Sequence, residues 1–217
     1  MIPLGFNPAR LPSVKSEKVA AIRAEYKHKK IIFALGRQVV YKGFDYLIRS
    51  AQFLNDDYMV LIGGKGPLYE TNLELIKTLN LSHRVQMLGF IADEDIPAYY
   101  EASNIFVLSS ISKAEAFGMV QLEAMYFGKP IVSTAIPCSG VSWVNQHNET
   151  GYIVPPADAQ ALAEAILAIQ TSGKADFFAQ NARERVSTLF SSDNLATQFT
   201  QLYRESLGLP IAENVNA

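Results

Sequence analysis

Short, unbroken apolar runs punctuate this chain, each closing at glycine, serine or proline. They are KKIIFALG (29–36), YMVLIGG (58–64), HRVQMLGF (83–90), NIFVLSS (104–110), KPIVSTAI (129–136) and the shorter TGYIVPP (150–156). Runs of this length without polar alternation fit strands buried on both faces, as in a parallel sheet. Between them, apolar residues recur at helical spacing in FDYLIRSAQFL (44–54), PLYETNLELIKTLNL (67–81), ADEDIPAYYEAS (92–103), the segment from 115, and DAQALAEAILAIQ (158–170). Pro67 suits a helix's first turn, and Asp158 stands near the start of its helix. Two more helices follow, KADFFAQNARERVSTLF (174–190) and SDNLATQFTQLYRESLG (192–208), before a polar tail. Alternation of strand and helix predicts an α/β fold: a Rossmann-like, three-layer α/β/α domain with a six-stranded, mainly parallel sheet over 29–190. Residues 191–217 are expected to form a C-terminal helix and polar tail. Residues 1–28 read as a hinge or leader segment, since MIPLGFNP looks like the end of a strand running into a turn. So abrupt a start suggests one half of a longer protein.

Bulk properties narrow the class. With 217 residues, 49% of them apolar, the chain can bury the core of one ordinary domain. Nineteen basic and 21 acidic residues leave a net charge of −2, which argues against nucleic acid as a partner. A single cysteine, Cys138, precludes an internal disulfide framework and fits a reducing compartment. It is expected to be a small buried residue. No apolar run is long enough to span a membrane, and the N-terminus lacks a signal peptide's basic start and apolar stretch, so a cytoplasmic domain is expected.

In an open parallel sheet, ligands sit at the carboxyl ends of the strands, so the loops there are the candidates for chemistry. In GRQVVYKGFDYLI, Gly36 ends the strand, and Arg37 and Lys42 flank a helix start, a ready anion site. Taken alone, the two cations read more simply as solvated. In GGKGPLYE, Gly63, Gly64 and Gly66 allow close backbone approach. A dinucleotide fingerprint would need glycine at 69, where Tyr69 stands. In LGFIADEDI, Asp93-Glu94-Asp95 has a metal-binding form, but it sits at a helix start where carboxylates offset the helix dipole, so no metal is expected there. His28 and His83 lie in polar surroundings, and His147 has no acid–base partners.

The most informative stretch is EAFGMVQLEAM (115–125). Gly118 opens a helix, and the N–H groups exposed at its start, at Phe117, Gly118 and Met119, suit phosphate. Glu115 lies before that helix. Glu123, eight residues on, returns to the same side a little over two turns later. One carboxylate can meet a sugar's hydroxyls near the phosphate, and the other a ribose farther along.

Taken together, GRQVVYKGFDYLI, IGGKGPLYE, LGFI, EAFGMVQLEAM, GKPIVST and TGYIVPPADAQALAEAI resemble the donor-binding half of retaining glycosyltransferases of the GT4 type. The likeness covers about residues 30–190, in the family's order. It implies half of a GT-B fold, in which a nucleotide-diphospho-sugar binds one Rossmann-like domain and the acceptor binds another. It further implies that Arg37 and Lys42 hold the diphosphate and neutralise charge on the leaving group. Glu115 meets the transferred sugar, and the N–H groups of Phe117, Gly118, Met119 and Val120 line sugar and phosphate. Glu123 takes the ribose, backbone at Phe90 and Ile91 reads the base, and Gly36, Gly64 and Gly66 shape the pocket. No metal or other cofactor is required. The family's donors include GDP-mannose and UDP-sugars, its acceptors glycans or lipid-linked glycans, and SGVSWVNQH points to bacterial envelope polysaccharide synthesis. The acceptor would be held by a missing N-terminal domain, through which any peripheral contact with the inner face of the membrane would also be made. This chain alone is then expected to bind donor but to transfer poorly or not at all. Two other readings stay open: a non-catalytic nucleotide-sugar-binding module, and an epimerase of the same architecture, which would need acid–base carboxylates and histidines that form no matched set here.

Overall fold

The computed structural model describes residues 2–210. Six strands, β1 (Lys30–Leu35), β2 (Tyr58–Gly63), β3 (Val85–Gly89), β4 (Ile105–Leu108), β5 (Ile131–Thr134) and β6 (Gly151–Val154), form one sheet in the order β3-β2-β1-β4-β5-β6. Every pairing is parallel, so the sheet is a Rossmann-like open α/β sheet whose order reverses between β1 and β4.

The helices cover both faces, as unbroken apolar strands require. They are α1 (Ser16–Glu25), α2 (Phe44–Ser50), α3 (Tyr69–Thr78), α4 (Ile96–Ala102), α5 (Met119–Tyr126), α6 (Val141–Val144), α7 (Ala159–Thr171), α8 (Ala175–Thr188) and α9 (Ser192–Ser206). Side chains of β1 alternate between two cores. Ile31 and Phe33 join Val19 and Ile22 of α1, Tyr100 of α4 and Leu122 of α5 on one face. Ile32 and Ala34 join Leu47 and Ile48 of α2 and Leu162 and Ile166 of α7 on the other. No helix among the described residues is long and apolar enough to cross a membrane.

Several boundaries differ from the sequence expectation. Residues 2–5 form no strand, and Phe6 makes only an isolated bridge to Ser191, its N–H donating to the Phe190 carbonyl at 2.6 Å. The first segment instead contains α1, which buries Val19 and Ile22 and lies against α4. That helix has a weak signature, because its N-cap, Lys15, supplies no side-chain bond and its face holds few apolar residues. It is held partly through charge: Lys15 and Lys18 reach Asp95 at 2.9 and 3.2 Å. The expected helix at 44–54 gives way after Ser50 to a 3-10 turn at Ala51–Phe53. The short α6 lies in a stretch read as loop. Cys138, expected inside, is exposed in a left-handed turn with φ of 59°. Helix α9 carries an apolar stripe yet buries no residue, leaving Phe199, Leu202 and Tyr203 open to solvent. The polar tail beyond residue 210 lies outside the described residues.

One cation outside the strand-end loops is only partly exposed. Lys129, just before β5, donates to the Glu101 carbonyl at 3.1 Å. Burial lowers its pKa to about 8; the Glu101 carboxylate opposes this, and Arg23 and Arg183 add to it. The unfolded chain therefore holds more protons than the folded one between about 8 and the ordinary lysine value of 10.5, and stability should rise with pH across that window. Lys129→Met, which keeps the stem and removes the charge, is expected to raise the urea midpoint at pH 7. The gain should shrink as pH rises through that window and disappear well above 10.5, where lysine is neutral in both states. A gain that stays constant with pH would show that packing, not charge, is responsible.

Candidate functional site

The site forms where the strand order reverses, because the loops after β1, β4 and β5 meet there. The Ser109 hydroxyl donates to the Lys42 carbonyl at 2.9 Å, and the Ile111 N–H donates to the Tyr41 carbonyl at 2.8 Å. The Gly140 N–H donates to the Ala116 carbonyl at 2.7 Å, and the Ser139 hydroxyl to the Glu115 carbonyl at 2.5 Å. The Thr134 hydroxyl donates to the Ser110 carbonyl. These bonds fix the backbone on either side of Glu115.

At the centre, Lys42 Nζ and Glu115 Oε2 stand 2.5 Å apart, both side chains about 10% exposed. The Ser110 hydroxyl donates to the same Oε2 at 2.9 Å. Glu115 Oε1 thus has no protein partner among the described residues, and the lysine ammonium has two further donors to offer. Gly36 makes room for the lysine stem, since a Cβ there would lie 3.1 Å from Lys42 Cε. Arg37 is exposed, and its guanidinium makes no hydrogen bond among the described residues. The sequence identifies Lys42 and Glu115 separately; their direct pairing is a feature only the fold reveals.

The glycine-rich turn after β2 serves the protein's own backbone. Gly64 has φ of 113°, and a Cβ there would fall 1.9 Å from the Gly36 carbonyl oxygen. At Gly66 a Cβ would lie 2.6 Å from the Gln38 carbonyl oxygen. Gln38 is fully buried and links the two loops: its N–H donates to the Lys65 carbonyl, its carbonyl accepts from Leu68, and Asn72 donates to its amide oxygen at 2.8 Å. Nothing in the sequence distinguishes Gln38 from a polar surface residue. Ile91 is buried with its side chain beside Gly63, whereas Phe90 is 70% exposed at the rim of the β3 loop.

Helix α5 starts at Met119 with Gly118 as its N-cap in the left-handed conformation, φ 75°. A Cβ at Gly118 would lie 2.8 Å from both Leu108 Cδ2 and Gln121 Nε2, so a side chain is excluded twice over. The opening N–H groups at Met119 and Val120 have no partner within the helix. Phe117 turns its ring inward against Trp143 and Phe190 and offers only its backbone. One turn on, Glu123 is partly buried and accepts at Oε2 from the Tyr100 hydroxyl at 2.8 Å. Burial raises the carboxyl pKa of Glu123; the bond from Tyr100 opposes the rise, and Asp93 adds to it. Asp95 is taken up by Lys15 and Lys18, leaving Asp93 and Glu94 exposed at the turn. His147, without acid–base partners, accepts from the Ile153 N–H at 3.0 Å.

The family model for glycosyl transferases group 1 matches residues 15–185. The chain belongs to this family. It is 31% identical over 193 residues to D-rhamnosyltransferase WbpZ of Pseudomonas aeruginosa, covering 88% of this chain and 49% of that protein. It is 30% identical over 192 residues to O-antigen chain mannosyltransferase C of Escherichia coli, covering 87% of this chain and 50% of the other. Among solved structures, sucrose-phosphate synthase from Thermosynechococcus elongatus superposes with a TM-score of 0.80 at 31% identity, over 95% of this chain and 52% of that one. The group 1 chain described here therefore spans about half the length of the curated relatives it matches, and its sheet is one half of a GT-B architecture.

The Lys42–Glu115 pair lends itself to a stability test. Removing one partner leaves the other charge buried and uncompensated, so Lys42→Met and Glu115→Gln should each lower unfolding free energy by about 3 kcal/mol. The double variant should lose much less than the sum of the two. Additive losses in urea titrations would mean that the two groups do not interact.

Proposed function

We propose that this chain is the donor-binding half of a retaining glycosyltransferase, acting on a nucleotide-diphospho-sugar such as GDP-mannose or a UDP-sugar. The observation that carries the reading is the grouping at the strand switch. A cation, a carboxylate with one free oxygen, an open helix N-terminus and a second carboxylate follow one another there within reach of a single elongated anionic ligand.

In this reading the diphosphate lies at the start of α5, between its free N–H groups and the cations Arg37 and Lys42. Lys42 keeps Glu115 with one donor and turns the others to phosphate. Glu115 Oε1 accepts from a hydroxyl of the transferred sugar, and Glu123 Oε1 accepts from the ribose. Backbone at Phe90 and Ile91 meets the base. Transfer breaks the bond between the anomeric carbon and the phosphate oxygen and forms one to the acceptor hydroxyl. The acceptor's proton passes to the departing phosphate, whose charge Arg37 and Lys42 stabilise. No step calls for a metal. The acceptor, a glycan or lipid-linked glycan, is met by residues outside this chain, so the activity proposed for the chain itself is donor binding. Names of relatives such as WbpZ and O-antigen chain mannosyltransferase C support a setting in bacterial surface polysaccharide synthesis.

Calorimetric titration with UDP, GDP and ADP, before and after magnesium is added, tests the reading. One of the three is expected to bind selectively and without metal. Arg37→Ala and Glu123→Ala should each weaken that binding by roughly ten- to a hundredfold, the range for loss of a charge-assisted hydrogen bond. Unchanged affinity in both variants would remove the assignment.

A further inference from the structure

We propose that Tyr100 is a positioning residue for ribose recognition, holding Glu123 in the orientation that receives the sugar's hydroxyls. This inference rests on the donor-site reading above and adds a residue that the loop motifs do not contain. Tyr100 lies on α4, outside every strand-end loop, and is fully buried. Its ring is fixed by aromatic neighbours on several sides. It stacks on Phe127 at 5.6 Å, meets Phe33 edge-on at 5.3 Å and Phe106 at 5.6 Å.

A ring so enclosed can place its hydroxyl at only one spot, and that spot is at Glu123. The hydroxyl donates to Glu123 Oε2 at 2.8 Å and lies 3.3 Å from the Val120 carbonyl. A hydroxyl has one proton, and the shorter contact, to a carboxylate, is the stronger bond. Glu123 makes no other side-chain hydrogen bond among the described residues, so this one contact sets its rotamer and leaves Oε1 as the free acceptor. Glutamate otherwise loses substantial side-chain entropy when it is ordered on a ligand. A rigid donor on a neighbouring helix removes that cost before ligand arrives, which is preorganisation of the acceptor. Tyr100 touches no ligand in this scheme; it acts through Glu123 alone.

Tyr100→Phe removes the hydroxyl and keeps the ring. The test compares whichever of UDP, GDP and ADP binds tightest with its 2′,3′-dideoxy counterpart, on the unmodified chain, Tyr100→Phe, Glu123→Ala and the double variant. The expected result is about five- to tenfold weaker ribonucleotide binding by Tyr100→Phe, less than for loss of Glu123 itself, because the acceptor remains and only the side-chain entropy of ordering it is added to binding. Dideoxynucleotide binding should be unchanged, and Tyr100→Phe should have no further effect once Glu123 is alanine. Equal weakening for both nucleotides would mean a merely structural tyrosine and overturn the proposal, as would no weakening at all. If the unmodified chain binds the ribonucleotide but does not prefer it to the dideoxy form, Glu123 does not read the ribose and the proposal falls while donor binding stands. Failure of the unmodified chain to bind any of the three would overturn the donor-site reading, and this inference with it.

Discussion

The ion pair between Lys42 and Glu115 is the constraint around which the carboxyl edge of the sheet is organised. At the strand switch, neighbouring loops leave in opposite directions, and polar groups must be buried there with no ladder to satisfy them. Two charges inside a protein are costly unless geometry and further hydrogen bonds compensate. Compensation is visible on both sides. Ser110 adds a donor to the carboxylate, Ser109 holds the backbone of Lys42, and Gly36 clears the space the lysine stem needs. The glycines after β2 follow from the same requirement, because the turn bearing Gly36 can pass Gly64 and Gly66 only where no Cβ intervenes. A loop system of this kind leaves little freedom at its centre, the rigidity that the proposed recognition of hydroxyl groups would use.

Much of the fold was legible because parallel strands buried on both faces leave an unambiguous mark. All six runs proved to be strands of one sheet, and the helices between them lie where the spacing placed them. What escaped notice was structure with a weak local signature. Helix α1 has few apolar residues and no side-chain cap, and its place is settled by Asp95, about eighty positions away, and by packing on α4. No window of sequence contains that information. The exposed Cys138 is a similar case: composition favours burial for a free cysteine, but its left-handed turn beside the Ser139 anchor turns it outward.

At the site, the sequence supplied positions but not partners. Gly118 marked a helix start, which the structure has; the expectation that helical spacing pairs the two glutamates does not hold, because Glu115 lies in the turn before α5 and Glu123 one turn inside it. The sequence could not show that Glu115 and Lys42 face each other across 73 residues with Ser110 on the same oxygen, that Asn72 holds Gln38, or that Tyr100 holds Glu123. Each of these supports is an ordinary polar residue in an ordinary context, made specific only by a tertiary neighbour.

The two glutamates show why spacing alone underdetermines chemistry. Eight positions separate them, which suggested a matched pair on one helix, yet Glu115 lies in the turn before α5 and only Glu123 is on it, and their surroundings make them different groups. Glu115 faces a cation and a hydroxyl on one oxygen, so its charge is already neutralised before any ligand is present. Glu123 accepts from a phenol and is in no ion pair among the described residues, and burial, with Asp93 adding to it, drives its carboxyl pKa upward against the pull of Tyr100. The first arrangement suits a group that must sit beside a diphosphate without repelling it, since Lys42 cancels the carboxylate charge at short range. The second suits a group that accepts from neutral hydroxyls farther from the phosphates, where an uncompensated carboxylate does least harm. The order proposed along the ligand, phosphate and sugar first and ribose second, is the one these electrostatics favour, independently of the motif that contains the two groups.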